Sequence, residues 1–152
     1  MSKNNLKLEL NTAKQNGFYE ISEAAKLSGV NAKMIRYYES KDLLPQAKRT
    51  ISNYRIYSAQ DIQMLILIKR ARSLGFPLEQ IKQLLKLWDN QYRASKDVKQ
   101  LVLGHIAELE DKIKQMQAMC QTLHHLADCC YGNKDPQCFI LDSLAELTPT
   151  QS

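Results

Sequence analysis

Cys130 and Cys138 are the residues of this 152-residue chain best suited to chemistry. They flank a seven-residue loop, Tyr131-Gly132-Asn133-Lys134-Asp135-Pro136-Gln137. Its glycine and proline let the backbone fold back and bring two sulfurs face to face. Two thiolates with no third protein ligand suit a soft, two-coordinate ion such as Cu(I) or Ag(I). A pair of unrelated free thiols fits the same two residues. Cys120 and Cys129 complete a set of four, at successive spacings of 9, 1 and 8. Four-ligand zinc sites recruit Cys or His at tetrahedral spacing. His124 and His125 are near enough in sequence to serve zinc, and equally read as solvated residues on a polar helix face. There is no C-x-x-C and no acid/base constellation beside the thiols, so the chain is not expected to be an enzyme. An iron–sulfur or redox regulator would need a tighter cluster of four cysteines.

A second chemistry is written in basic and tyrosine residues. The chain has 21 Lys+Arg against 16 Asp+Glu, a formal charge of +5. Residues 33–72 alone carry nine bases and three acids, a net +6, while residues 73–130 balance at seven each. Such a block suggests a polyanion, most simply nucleic acid, or else a solvated charged face. Within it, Asn31-Ala32-Lys33-Met34-Ile35-Arg36-Tyr37-Tyr38-Glu39 reads as a helix with Met34 and Ile35 inward and Lys33, Arg36 and Tyr37 outward. A helix of this kind fits the major groove, where Arg and Lys bond base edges or phosphates. Lys48, Arg49, Tyr54, Arg55 and Tyr57 follow in a segment rich in β-formers. Arg forks and tyrosine hydroxyls suit phosphate oxygens.

These residues need elements to hold them. Ile21–Leu27 has the pattern of a short helix, broken at Ser28-Gly29-Val30, after which Asn31 can cap a second helix running to Ser40. A helix, a Gly-containing turn and a helix are the parts of a helix-turn-helix. Residues 48–58 predict a small hairpin, or wing. Ser58 can cap a helix to Ser73; Gly75-Phe76-Pro77 interrupts, and a further helix runs from Leu78 to Trp88. From about Ser95 to Asp128, Val102, Ile106, Leu109, Ile113, Met116, Cys120, Leu123 and Ala127 step by alternating fours and threes. That is a heptad seam. A lone helix of about 34 residues is ~50 Å long. So small a head cannot cover such a seam, so a partner helix is expected, most economically from a second copy. Packing along its own head is the other solution. Phe139–Leu147 predicts a last short amphipathic helix. Apolar residues make up 44% of the chain, enough for a core, and five glycines and four prolines are too few for a turn-rich β-sandwich. No apolar run reaches the ~18 residues of a membrane span. Residues 1–17 are polar and without an apolar signal region, predicting a flexible tail and a cytoplasmic protein.

Ile35-Arg36-Tyr37-Tyr38-Glu39, Leu43-Leu44-Pro45, Asn53-Tyr54-Arg55-Ile56-Tyr57 and residues 70–81 together resemble the mercury-resistance-regulator (MerR) family over roughly residues 18–147. The resemblance implies a mainly α protein: a winged helix-turn-helix DNA-binding head at 18–88, an antiparallel coiled-coil dimerisation helix at 95–128, and a metal-binding loop with a short helix at 129–147. It further implies a homodimer on double-stranded promoter DNA whose spacer is overlong. Inducer then untwists that DNA so that RNA polymerase aligns both promoter elements. By position, Arg36, Tyr37, Arg55 and Tyr57 are the foremost DNA contacts, with Lys33, Arg49 and Tyr54 beside them.

The stretch Cys130–Cys138 resembles the copper-efflux-regulator branch of that family. There, two loop cysteines hold one monovalent ion, Cu(I), Ag(I) or Au(I), in a pocket covered by the start of the partner's dimerisation helix. The matching residues here are Ser95 and Lys99. Branches sensing divalent zinc, cadmium, lead or mercury carry Cys at the position of Ser95. Two thiolates and a monovalent ion leave one net negative charge, and a dry pocket disfavours more. Lys99 and the positive end of the long helix can offset that charge. The doublet Cys129-Cys130 resembles the zinc-sensing branch and keeps Zn(II) as the alternative ion. A drug sensor of this family would need a large C-terminal domain, and a plain coiled-coil adaptor would leave the basic head unexplained.

Overall fold

The computed structural model describes residues 3–134 and 136–146. Asp135, within the expected metal-loop segment, and Leu147, its last residue, lie outside them, as do the first two residues of the expected tail. The chain divides into two units, residues 1–101 and 102–152.

The first unit begins with a departure from the sequence reading. Lys3–Gln15 is a helix, α1, not a flexible tail. Its half-buried side, Leu6, Glu9, Leu10 and Ala13, repeats at helical spacing. Three lysines and one glutamate among its polar residues hid that periodicity behind a tail-like composition. Gly17 then turns the chain at φ 79° into a strand, β1 (Phe18–Glu20). The strand passes directly into α2 (Ile21–Ser28), which stops at Gly29 in the left-handed region, φ 70°. That conformation is the one a glycine adopts without steric penalty. Asn31 accepts a hydrogen bond from the Met34 amide at 2.8 Å and starts α3 (Ala32–Ser40).

The wing is β2 (Lys48–Arg49) and β3 (Arg55–Ser58). With β1 they form a three-stranded antiparallel sheet in the order β1-β3-β2, with Phe18 opposite Ser58 and Arg49 opposite Arg55. Ser58 caps α4 (Ala59–Ser73) by a reciprocal pair with Asp61, at 3.1 and 2.8 Å. Such caps contribute about 1 kcal/mol. α5 (Leu78–Asp89) follows. Ala24, Ile35, Leu43, Tyr57, Leu65, Ile68 and Ile81 form the fully buried centre, with Leu101 packed against that cluster. The helix-turn-helix, wing and following helices are thus one hydrophobic unit, which leaves Lys33, Arg36 and Tyr37 of α3 and Lys48, Arg49 and Tyr54 of the wing exposed.

A long helix, α6 (Ser95–Asp128), runs into the second unit. There, only His105 and Leu126 are buried along it. Val102, Leu103, Ile106, Leu109, Ile113, Met116, Met119 and Leu123 are all exposed. The short helix α7 (Phe139–Ala145) has no buried residue and exposes Phe139, Leu141 and Leu144. No helix of the described residues is long and apolar enough to cross a membrane.

Candidate functional site

On α3, helical spacing separates two duties. Ile35 and Tyr38 face the core, whereas Lys33, Arg36 and Tyr37 are exposed. The Tyr37 and Tyr38 rings are tilted by 57° with centroids 5.8 Å apart, and Lys41 Nζ lies 5.8 Å from the centre of the Tyr37 ring. On the wing, Lys48, Arg49 and Tyr54 are exposed. The turn joining β2 and β3 is held by Thr50 and Tyr54, whose backbone N–H and C=O pair at 2.9 Å, and by Arg49 Nη1 donating to the Asn53 carbonyl at 3.0 Å. Asn53 sits at φ 67°, a left-handed position that asparagine tolerates better than most residues.

Two of the expected contacts have other roles. Tyr57 retains only 1% of its surface and belongs to the core. It therefore cannot serve as a surface phosphate ligand. Strand alternation explains the outcome, because a period of two puts Tyr57 on the same face as Arg55, and both meet Glu39. Arg55 is half-buried, with Nε 3.3 Å from Glu39 Oε2. Glu39 is the residue that sequence reasoning missed. It accepts from the Ala47 amide at 3.0 Å and the Tyr57 hydroxyl at 3.4 Å and pairs with Arg55. One carboxylate thereby joins α3 to the wing. Its signal was present: it is one of three acids in the most basic block of the chain, where an acid needs a local partner. Burial, then the charge of Glu39, pushes the Tyr57 phenol up to about 12, so it stays a hydrogen-bond donor. The exposed set of Lys33, Arg36, Tyr37, Lys48, Arg49 and Tyr54 is what two rigidly joined elements offer to a polyanion.

In the second unit, α6 ends with the Cys129 amide donating to the His125 carbonyl and the Cys130 amide to that of Ala127, both at 3.1 Å. Gly132 turns the loop at φ 61°. Cys138 precedes α7 as its cap residue, its carbonyl accepting from the Asp142 amide at 3.0 Å. Cys130 and Cys138 are half-buried free thiols, whereas Cys120 and Cys129 are exposed. Cys129 Sγ lies 3.9 Å from His125 Nε2, one helical turn away. Among the described residues, no three His, Cys, Asp or Glu side chains gather as a metal cluster. Among the described residues, Cys130 and Cys138 bracket the loop with two soft sulfur donors, with the Cys129 thiol beside the first. Ser95, the first residue of α6, and Lys99, one turn on, are both exposed.

Comparison with known proteins places these features in a family. Residues 19–88 match the family "MerR HTH family regulatory protein", and residues 62–126 match "MerR, DNA binding". The chain is 53% identical to the HTH-type transcriptional regulator HmrR of Sinorhizobium medicae, over 83% of this chain and 86% of that one. It is 38% identical to the HTH-type transcriptional regulator CueR of Escherichia coli O6:H1, over 82% and 93%. Among solved structures, the transcription regulator PbrR691 from Ralstonia metallidurans, in complex with lead(II), superposes with a TM-score of 0.75 at 35% identity. That match covers 82% of this chain and 98% of the other.

Proposed function

The chain belongs to the MerR family of helix-turn-helix transcriptional regulators, which are not enzymes, and from that premise we propose a metal-responsive activator. It binds promoter DNA as a homodimer. With Cu(I), or Ag(I) or Au(I), held by Cys130 and Cys138, it activates metal-efflux or detoxification genes by distorting the promoter for RNA polymerase. The loop carries the proposal: two free, half-buried thiols bracket it, one at the end of α6 and one at the cap of α7. The exposed basic face of α3 and the wing supports DNA binding. The open apolar seam of α6 supports pairing with a second copy, antiparallel by family resemblance.

Charge favours the monovalent ion. Two thiolates and M⁺ leave one negative charge, which Lys99 of the second copy and the amino end of its α6 can offset. Ser95, where a third thiolate would stand, brings no charge to such a pocket. The energetic requirement is differential affinity, because an ion that binds two conformers equally shifts neither.

A second reading, a sensor of divalent zinc, cadmium, lead or mercury, draws on the Cys129–His125 contact at 3.9 Å. In vitro transcription with Cu(I), Ag(I), Zn(II), Cd(II), Pb(II) and Hg(II) separates the two. Response to the monovalent ions alone supports the first reading. Response to Zn(II) that survives Cys138→Ser but not Cys129→Ser overturns it.

A further inference from the structure

Helix α1 stands before the matched stretch, which begins at residue 19, and it makes two specific ties to the head. Glu9 Oε1 accepts from the Ser52 hydroxyl at 2.8 Å, and Oε2 accepts from the Ser52 amide at 3.1 Å. Both oxygens of one carboxylate thus grip the tip of the wing. Lys14 Nζ donates to Glu23 Oε1 on α2 at 2.8 Å. Leu10 lies between the ties and lines a shallow cleft of about 290 Å³ with Ile21, Arg36, Tyr54 and Arg55.

The wing needs such support. β1 pairs only with β3, so β2, with two residues, is the short outer strand of the sheet and has no second strand beyond it. At its tip Ile51 is 91% exposed and anchors nothing. Glu39 secures the base of the wing, but of these two carboxylates only Glu9 reaches the tip. Nor does α1 act as a cover. With α1 in place, Arg36, Arg49 and Tyr54 remain exposed.

We propose that Glu9 is a positioning residue for DNA binding: its paired bonds to Ser52 hold the wing in the pose from which Arg49 and Tyr54 meet the phosphate backbone. The proposal rests on the reading of the wing as a DNA contact. A wing already ordered spares the complex that ordering, so apparent affinity rises with the fraction in the competent pose. The Ser52 bonds also hold the Glu9 carboxyl below its ordinary range, which keeps the acceptor ionised.

The sign of one substitution is diagnostic. A carboxylate that is merely near DNA repels phosphate, so its removal tightens binding. A carboxylate that positions the wing has the opposite signature. Binding is measured by fluorescence anisotropy on a duplex selected from a random pool by the wild-type protein. Glu9→Ala is expected to weaken binding about five- to tenfold, as the competent fraction drops by that factor. Ser52→Ala keeps the amide bond and weakens it less, and the double variant is no weaker than Glu9→Ala alone. Hydrogen exchange at residues 50–54 rises in Glu9→Ala, while the amides of α4 keep their protection. Unchanged or tighter binding by Glu9→Ala, or additive losses in the double variant, overturns the proposal. Should Glu9→Ala misfold, Ser52→Ala decides alone, since it removes one hydroxyl from the wing tip, and unchanged affinity then overturns the proposal. Failure of the wild-type protein to select any duplex sinks the DNA reading instead.

Discussion

Substituting Ile113→Asp tests the pairing of α6 most directly. Ile113 lies next to the midpoint of the helix, so in an antiparallel pair it faces its own copy. Val102, Ile106, Leu109, Ile113, Met116 and Leu123 keep between 36% and 62% of their surface in the single chain. Roughly 500 Å² of apolar side chain is therefore open per protomer, and about 1,000 Å² per pair. At ~25 cal/mol per Å² that is about 25 kcal/mol of gross stabilisation, an upper bound. Association costs about 4–15 kcal/mol, which leaves a tight dimer. Ile113 alone accounts for roughly 100 Å² on each copy, or about 5 kcal/mol for the two. That converts to more than a thousandfold in the dimerisation constant, before the desolvation of two facing carboxylates adds to it. Sedimentation velocity from nanomolar to micromolar concentration reads it: wild type as a dimer throughout, Ile113→Asp as a monomer over most of the range. Identical sedimentation of the two proteins refutes the seam as the dimer interface, and so does a monomeric wild type.

Cys130→Ser and Cys138→Ser should each abolish metal-induced transcription and leave promoter affinity within about twofold, read by in vitro transcription and anisotropy on the same preparation. Ser95→Cys should extend the response toward Zn(II) and Cd(II); an unchanged metal profile counts against the charge reasoning. Arg36→Ala should weaken DNA binding with and without metal by about 1–3 kcal/mol, whereas an effect in one state only reassigns that residue. Stability should fall above pH 10. The unfolded tyrosine ionises near 10, whereas Tyr57 in the folded chain ionises at about 12, so its contribution is complete below pH 10 and lost as pH rises through 12. The expected loss is of order 2 kcal/mol by urea denaturation, and Tyr57→Phe should flatten that limb.

The helical part of this fold was legible because its signals are local and redundant. Asn31 before an apolar-periodic run, Gly29 in the turn and Ser58 with Asp61 three residues on each announce a boundary, and the helices begin and end there. The long helix α6 was legible for the same reason. The strand β1 escaped because three residues carry no period, and it exists only by pairing with β3. Helix α1 escaped because its apolar stripe is thin and one of its half-buried positions is Glu9. At the site, residue type alone could not separate a tyrosine that reaches outward from one that does not. Tyr54 and Tyr57 are three residues apart in one hairpin, yet one is 49% exposed and the other 1%. Which partners the carboxylates at the wing would take was not legible, because those partners lie elsewhere in the sequence, Ser52 for Glu9 and Ala47, Arg55 and Tyr57 for Glu39.

The wing and the thiol loop pose one physical problem with two solutions. Each is a short segment unable to order itself: β2 has two residues, and α7 has seven with no buried side chain. A single-turn or two-turn helix is unstable alone, because nucleation consumes most of what its few hydrogen bonds return. The wing is tied by carboxylates already in the fold, Glu9 at its tip and Glu39 at its base. In the proposed mechanism, the loop is ordered conditionally, when an ion joins Cys130 to Cys138 and closes the segment between them. Phe139, Leu141 and Leu144, from 46% to 66% exposed, then have roughly 300 Å² to bury against the dimer, or about 8 kcal/mol at most. Moving a two-state equilibrium from 1:99 to 99:1 takes about 5.5 kcal/mol. The apolar face of α7 is therefore large enough to drive the switch once the ion holds it in place. In that mechanism, the entropy of an open loop keeps the face undocked until the ion binds. Replacing Leu141 and Leu144 by Ala should accordingly leave metal binding intact and uncouple it from transcription, and loss of metal affinity instead would place α7 in the binding step rather than the switch.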